Sequence, residues 1–238
     1  MIPKIEAFKE HNVVLNSFDM IHLPSDTPYG NLTLKWSDIM QRFDNINDKI
    51  EEIYKYHEVF VRNRKENLEK KIPVDVAISR AIYITRILAK HRNLIEELIY
   101  WLRKSTDEMI SLVYILDYFS IYKVYPEKIE VESIGKLLKE KSMCVDFFSN
   151  YYDVFKTIND VSNAYKHSFM NTEISNHIGN DEPYFFALSL SNNDLKKTPN
   201  FYYVGLADFL IKYGEFCTSY KQLIQKYYDE LTSFKSTQ

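Results

Sequence analysis

Four polar side chains of complementary chemistry recur at helical spacing between residues 156 and 167. Lys156, Asp160, Asn163 and His167 follow one another at steps of four, three and four, which places them along one edge of a helix. Asp160 and His167 then lie within about 20° of each other around the helix axis. A carboxylate so placed can orient an imidazole, which titrates near neutral pH and can act as a general acid or base. The alternative interpretation is the solvated flank of an amphipathic helix.

The stretch that holds two of these residues runs from Ser162 to Ser168 and reads Ser-Asn-Ala-Tyr-Lys-His-Ser. It resembles the RNxxxH motif of the HEPN superfamily, which are compact all-α domains of prokaryotic antiviral and toxin–antitoxin systems. The resemblance implies metal-independent cleavage of RNA at a site completed across a dimer. His167 would then be the general acid and base or hold the scissile phosphate, Asn163 would position the phosphate, and Asp160 would orient the imidazole.

Ser162 stands where the HEPN motif has its arginine, and this departure favours a second hypothesis. The chain would then be a non-catalytic helical interaction or scaffold module with a degenerate site. In that case Asn163 and His167 would belong to a structural hydrogen-bond network at a helix or dimer interface. Both hypotheses remain open from the residues alone.

A second string fits a looser form of the same motif, in which a histidine follows an arginine by four to six residues. It runs from Arg86 to His91 and is followed by Arg92. Arg86 and His91 lie about 140° apart on an ideal helix, so they converge only if a substrate or partner helix wraps around them. A buried core histidine is the alternative for His91. The side chains predicted to contact RNA are Lys156, Lys166, Arg86, Lys90, His91 and Arg92.

Positive charge is concentrated around this string, although the whole chain carries a formal charge of −3. A cationic face between residues 62 and 104 predicts contact with phosphate groups. Glu66 and Glu69 interrupt its first part, which is also typical of an ordinary solvated helix. The cations concerned are Arg62, Arg64, Lys65, Lys70, Lys71, Arg80, Arg86, Lys90, Arg92, Arg103 and Lys104.

Several other classes of site find no support in the sequence. The P-loop, dinucleotide-binding, hydrolase-elbow and zincin motifs are all missing. Cys144 and Cys217 are too few for a disulfide framework and have no metal-ligand spacing, so we expect inert thiols in a reducing compartment. We therefore expect neither a metal nor a cofactor.

The elements that position these residues are predicted to be helices. Hydrophobic residues make up 45% of the 238 residues, and the chain has only 5 glycines, which disfavours an all-β fold with its frequent turns. Apolar residues recur at three- and four-residue steps, which is typical of amphipathic helices. From Ile78 to Leu102 they form a wide apolar stripe, as expected for a central helix that is buried in a bundle. The spacing predicts an all-α bundle with helices over 38–70, capped by Ser37, and over 75–102, 106–125, 131–141, 145–170 and 206–234.

One stretch departs from the helical pattern and lies before the final helix. Residues 171–205 are predicted to form a loop with a small β-hairpin, whose strands cover about 184–190 and 201–205. Residues 1–35 are predicted to be an extended N-terminal segment. Without repeats or a flexible linker, the chain is expected to form one domain over 1–238.

The composite site that the resemblance implies predicts a homodimer, with the polar edge of the 145–170 helix at or near its interface. Apolar side chains also cover more than one face of this helix in its first turns, which indicates a second packing partner. The final helix carries a matching apolar stripe and is the alternative partner. A protein from the same operon is a further expected partner.

The sequence also predicts where the protein is found. The amino terminus carries charges where a signal peptide has an apolar stretch, and the longest near-apolar run, Met109 to Tyr122, is too short to cross a bilayer. We therefore expect a cytoplasmic protein that has no contact with a membrane.

Overall fold

The computed structural model describes residues 2–5, 21–69, 73–139, 145–167, 180–190, 193–194 and 196–235. Parts of the two predicted irregular segments, 6–20 and 171–179, lie outside the described residues. So do Ser168, the last residue of the HEPN-like string, and Cys144.

The described residues form six helices and one antiparallel hairpin, as the sequence predicts. The strands precede the last helix, which confirms the predicted fold class. The elements are α1 (Leu32–Glu69), α2 (Val74–Tyr122), α3 (Ile134–Leu137), α4 (Val145–Ser149), α5 (Tyr152–His167), β1 (Tyr184–Ser189), β2 (Asn200–Gly205) and α6 (Leu206–Lys235). Within these residues no helix combines the length and hydropathy that a membrane span requires.

Helix α1 begins six residues earlier than predicted because a different residue caps it. The prediction placed the cap at Ser37, but the Asn31 side chain accepts a hydrogen bond from the Leu34 backbone N–H at 3.0 Å. Asparagine is among the best N-cap residues, since its oxygen satisfies an amide that has no partner within the helix. Ser37 is instead buried within the helix.

Helix α2 is continuous, whereas the sequence predicted a new helix at Thr106 or Asp107. The Thr106 hydroxyl donates back to the Leu102 carbonyl at 2.8 Å and lies 2.9 Å from the Tyr213 hydroxyl. A threonine whose hydroxyl is bonded in this way has no need to act as a cap, so the helix passes through it.

The predicted 145–170 helix is split into α4 and α5 by a turn at Asn150 and Tyr151. The two helices nevertheless bury one largely apolar face. The buried side chains on α4 and α5 are Phe148, Val154, Phe155, Ile158, Val161, Ser162 and Ala164.

The hairpin pairs β1 with β2 in an antiparallel register that runs from Tyr184 opposite Gly205 to Ser189 opposite Asn200. Phe185 and Ala187 are buried, so alternate side chains of β1 form the inner face of the hairpin. The Phe185 ring packs edge-on against Phe209 of α6, with ring centroids 5.3 Å apart.

The chain divides into two compact units, and the long helices contribute residues to both. Unit 1 comprises residues 1–3, 48–100 and 160–210, and unit 2 comprises residues 4–47, 101–159 and 211–238. The single domain expected from the sequence stays a prediction.

Unit 2 is held together by tyrosines of α6 whose hydroxyls bond to α2. Tyr213 bonds to Thr106 at 2.9 Å, Tyr220 donates to the Met109 carbonyl at 3.0 Å, and Tyr227 donates to the Asp117 carboxylate at 2.8 Å. The three tyrosines stand seven residues apart, so they share one face of the helix. Each therefore buries a ring and satisfies its polar atom at once.

Phe216 of α6 is the centre of an aromatic cluster in the same unit. Its buried ring lies 4.9 Å from Phe155, 5.3 Å from Tyr151 and 5.7 Å from Tyr213, measured between centroids. Phe147 is 6.3 Å away. The final helix is therefore a packing partner of Phe147, Tyr151 and Phe155, as the alternative from the sequence allows. Tyr152 stays 49% exposed, and the homodimer stays a prediction.

We expect Phe216→Ala to lower the free energy of unfolding by about 3–5 kcal/mol, because it leaves a cavity among the aromatic rings that surround Phe216. Ile211→Ala is the matched control on the same helix, since Ile211 is mostly exposed, and it should change stability by less than about 0.5 kcal/mol. Urea unfolding followed by circular dichroism measures both. Equal losses in the two variants would contradict the described core.

Candidate functional site

The polar edge of α5 lies where the spacing predicts it. Asp160, Asn163 and His167 occupy successive turns of the helix, with the first two half-buried and His167 exposed in the last turn. Lys156 is exposed one turn before Asp160. The structure thus places an amide and an imidazole next to solvent, where a ligand can reach them.

Asp160 is bound by a residue that the sequence reading did not include. The Tyr202 hydroxyl of β2 donates to Asp160 Oδ2 at 2.7 Å. This hydrogen bond fixes the carboxylate to the hairpin, and its predicted role of orienting His167 stays a prediction. Tyr202 lies on the inner face of β2, opposite buried Ala187, but its contact with a residue 42 positions away leaves no local signal in the sequence.

Ser162, which stands at the arginine position of the HEPN-like motif, is buried. It belongs to the apolar stripe of α5 rather than to its polar edge. The motif therefore supplies no cation beside Asn163, and a longer charged side chain at this position would have to leave the core to reach solvent.

His91 lies in a buried aromatic cluster with His57 and Phe60. Its ring is 5.7 Å from each of the other two, edge-on to Phe60. His57 Nε2 donates to the Asn180 carbonyl at 3.2 Å. Burial, with a smaller effect of the charge on His57, lowers the pKa of His91 to about 4. The alternative of a core histidine fits this position, and His91 is not available to an RNA phosphate.

The predicted RNA-contacting cations of unit 1 lie at the surface with different partners. Arg86 is exposed, and the Lys90 ammonium is 5.7 Å from the centre of the Tyr56 ring. Arg92 is half-buried and donates from Nε to Glu96 at 2.9 Å. The Lys166 ammonium lies 5.9 Å from the centre of the Tyr100 ring. Cations held over aromatic rings keep their charge in water and remain available to anions.

We call residues 62–92 the basic arm. This part of the sequence includes the end of α1 and the first turns of α2, while Lys70 and Lys71 lie outside the described residues. An ion pair at 3.9 Å joins Arg80 of α2 to Glu66 of α1. The sequence of the arm contains three acidic residues, Glu66, Glu69 and Asp75. It contains nine basic residues, which are Arg62, Arg64, Lys65, Lys70, Lys71, Arg80, Arg86, Lys90 and Arg92.

The first turns of α2 in the basic arm expose apolar side chains. The predicted stripe from Ile78 onward was expected to be buried in the bundle, yet Ile78, Ile82 and Tyr83 are each more than half exposed. Burial begins at Ile87. Helical periodicity marks an apolar face but does not say whether a neighbouring element covers it.

The outer face of the hairpin carries four aromatic rings. Tyr184 stacks on Tyr203 with centroids 4.5 Å apart, and Phe186 lies 5.0 Å from Tyr203 and 6.3 Å from Phe201. Phe201 is 57% exposed and Tyr203 is 46% exposed. This face is well placed to contact another molecule.

Unit 2 contains a cavity of about 860 Å³. None of the residues predicted to carry chemistry lines it. Its lining includes His22, Asp26, Thr33, Phe119, Tyr125 and Tyr228. Among the described residues, no three histidine, cysteine or acidic side chains come together as a metal site requires.

No protein-family model matches the chain, and no curated protein or solved structure was found to be similar to it.

We expect the buried His91 to make the protein unstable in acid. Its pKa is about 4 in the folded chain and near 6.5 when unfolded, so the unfolded chain binds more protons between these values. The contribution to stability is complete above pH 6.5 and is lost as the pH falls toward 4. Its size is on the order of 3 kcal/mol.

Urea unfolding at a series of pH values measures this loss. His91→Leu removes one titrating group and should reduce the slope between pH 6.5 and 4. Part of the slope should remain, because burial also lowers the pKa of the neighbouring His57. His167→Ala is the control, since His167 is exposed and its loss should leave the wild-type slope. A His91→Leu variant with an unchanged slope would contradict the assignment.

Proposed function

We propose that this chain is a HEPN-like, RNA-binding helical protein of a prokaryotic defence or toxin–antitoxin system that binds RNA without cutting it. The observation that carries the proposal is the basic arm, which concentrates nine cations against three anions in a chain of net negative charge. The proposal includes the cytoplasmic location expected from the sequence.

The chemistry of the basic arm suits a polyanion. Phosphate contacts supply most of the sequence-independent affinity for nucleic acids, and each contact releases counterions. Arg62, Lys65, Arg86 and Lys90 are exposed, so their charges are available. Tyr83 is exposed on the same arm and can stack on an unpaired base, which is how single-stranded RNA is commonly held.

Three features of the HEPN-like site support binding rather than cleavage. Ser162, at the arginine position, is buried, and the Asp160 carboxylate accepts a hydrogen bond from Tyr202. His91 of the second motif is also buried. Neither motif thus presents a cation, a carboxylate and an imidazole together to a scissile phosphate.

The binding test uses a labelled single-stranded RNA and fluorescence anisotropy. Arg86→Glu/Lys90→Glu should raise the Kd by about tenfold or more and lower the slope of log Kd against log salt concentration by about 2. The matched control is Lys128→Glu/Lys226→Glu, which changes the net charge equally at exposed lysines of unit 2. If both double variants lose equal affinity, the basic arm is not the binding surface.

The cleavage test incubates the wild-type protein and His167→Ala with total RNA in EDTA. We expect the RNA to stay intact with both proteins, because the arginine position holds a buried serine. Cleavage by the wild type that disappears in His167→Ala would show a ribonuclease and overturn the non-catalytic part of the proposal.

The exposed apolar side chains of α2 favour a second candidate function, an interaction module for a partner protein. Ile78 and Ile82 stand one turn apart and are mostly exposed within a basic surrounding. A protein from the same operon that presents an amphipathic helix with acidic flanks would match both the exposed isoleucines and the basic residues around them. Co-expression with the neighbouring gene product should then yield a complex that Ile78→Asp/Ile82→Asp abolishes, while RNA affinity persists.

A further inference from the structure

The backbone of the hairpin shows which amides point away from its partner strand. The Leu206 N–H donates to the Pro183 carbonyl at 3.0 Å, one step beyond the pairing of Tyr184 with Gly205. Hydrogen-bonded and non-hydrogen-bonded pairs alternate in an antiparallel ladder. The backbone N–H and C=O groups of Phe201 and Tyr203 therefore point outward from β2.

The two outer edges of this hairpin differ. On β1 the outward carbonyl of Phe186 accepts a hydrogen bond from the Tyr165 hydroxyl of α5 at 2.9 Å. On β2, no residue in the described part of the chain bonds to the outward backbone groups of Phe201 or Tyr203. Both residues are also largely exposed. Among the described residues, the backbone edge of β2 therefore has no partner at Phe201 and Tyr203, whereas the edge of β1 is bonded to α5 at Phe186.

The sequence of β2 lacks the residues that usually keep an edge strand from pairing with other strands. Its six residues, Asn-Phe-Tyr-Tyr-Val-Gly, contain no charge and no proline. Natural edge strands usually carry lysine, proline or a bulge, because unpaired edges recruit other strands. An uncharged edge with two exposed rings is suited to pairing with another strand.

We propose that the edge of β2 pairs antiparallel with β2 of a second copy of this chain, joining two hairpins into a four-stranded sheet. This interface differs from the polar edge of α5, and the proposal does not depend on RNA binding. A strand paired with itself about a two-fold axis gives a closed dimer.

The charged residues that flank β2 favour pairing with a second copy of the strand in the antiparallel direction. Lys196 and Lys197 precede β2, and Asp208 follows it. Antiparallel pairing brings the lysine end of one copy beside the aspartate end of the other, whereas parallel pairing would bring lysines together. With Tyr202 at the two-fold axis, Phe201 faces Tyr203 of the second copy, which extends the aromatic outer face across the dimer.

Sedimentation velocity of the full chain tests the proposal over a range from about 1 to about 100 µM, because so small an interface gives a weak dimer. We expect the mass to rise from 28.4 kDa toward twice that value. Hydrogen exchange should show protection of the Phe201 and Tyr203 amides that increases with protein concentration.

Charge variants locate the interface and control for folding. Phe201→Lys/Tyr203→Lys sets like charges opposite each other and should raise the dimer Kd by more than tenfold. Phe201→Lys/Tyr203→Glu sets opposite charges face to face and should restore the dimer, which also shows that substitution here leaves the hairpin folded. Leu34→Lys/Ile211→Lys adds the same charge at other exposed apolar residues and should leave the Kd unchanged.

Three results would overturn the proposal. They are a monomer at the highest concentration, a dimer that survives the double lysine variant, and a dimer in which the amides of Phe201 and Tyr203 exchange as fast as in the monomer. Pairing of the β2 edge with a foreign extended peptide in a protein that stays monomeric would assign the edge to another partner and would also overturn it.

Discussion

Every buried tyrosine brings a hydroxyl into the core, and the arrangement of unit 2 depends on giving that hydroxyl a partner. Burial raises the pKa of Tyr213 and Tyr220 well above its usual range, so both stay neutral donors. A buried hydroxyl without a hydrogen bond costs about 1–3 kcal/mol. The bonds from α6 to the Leu102, Met109 and Asp117 turns of α2 therefore fix the rotation and the axial position of one helix against the other.

The same requirement acts on the hairpin of unit 1, where tyrosines supply polar contacts from both directions. Tyr165 of α5 donates to the backbone of β1, while Tyr202 of β2 donates to Asp160 of α5. These two bonds hold the hairpin on α5 and fix one oxygen of the Asp160 carboxylate. The rings of Phe201 and Tyr203, on the other face of the hairpin, remain largely exposed.

Periodicity in the sequence was sufficient for the fold class and for the faces of α5, but not for where every helix begins and ends. Ser162 lies on the buried stripe, while Asn163 and His167 lie on the polar edge, as 3.6 residues per turn require. The start of α1 was missed because Asn31 and Ser37 are both good caps, and tertiary burial decided between them. The Tyr202–Asp160 bond joins residues 42 apart, and no local pattern encodes such a contact.

The tyrosine bonds between α6 and α2 join residues 107 to 111 positions apart, which has a consequence during synthesis. At about 5–20 residues per second, α6 leaves the ribosome roughly 5–20 s after the part of α2 that it covers. The apolar face of α2 stays without its partner over that interval. Contacts of such long sequence separation also slow folding, so the final packing of unit 2 has to wait until α6 has been synthesised.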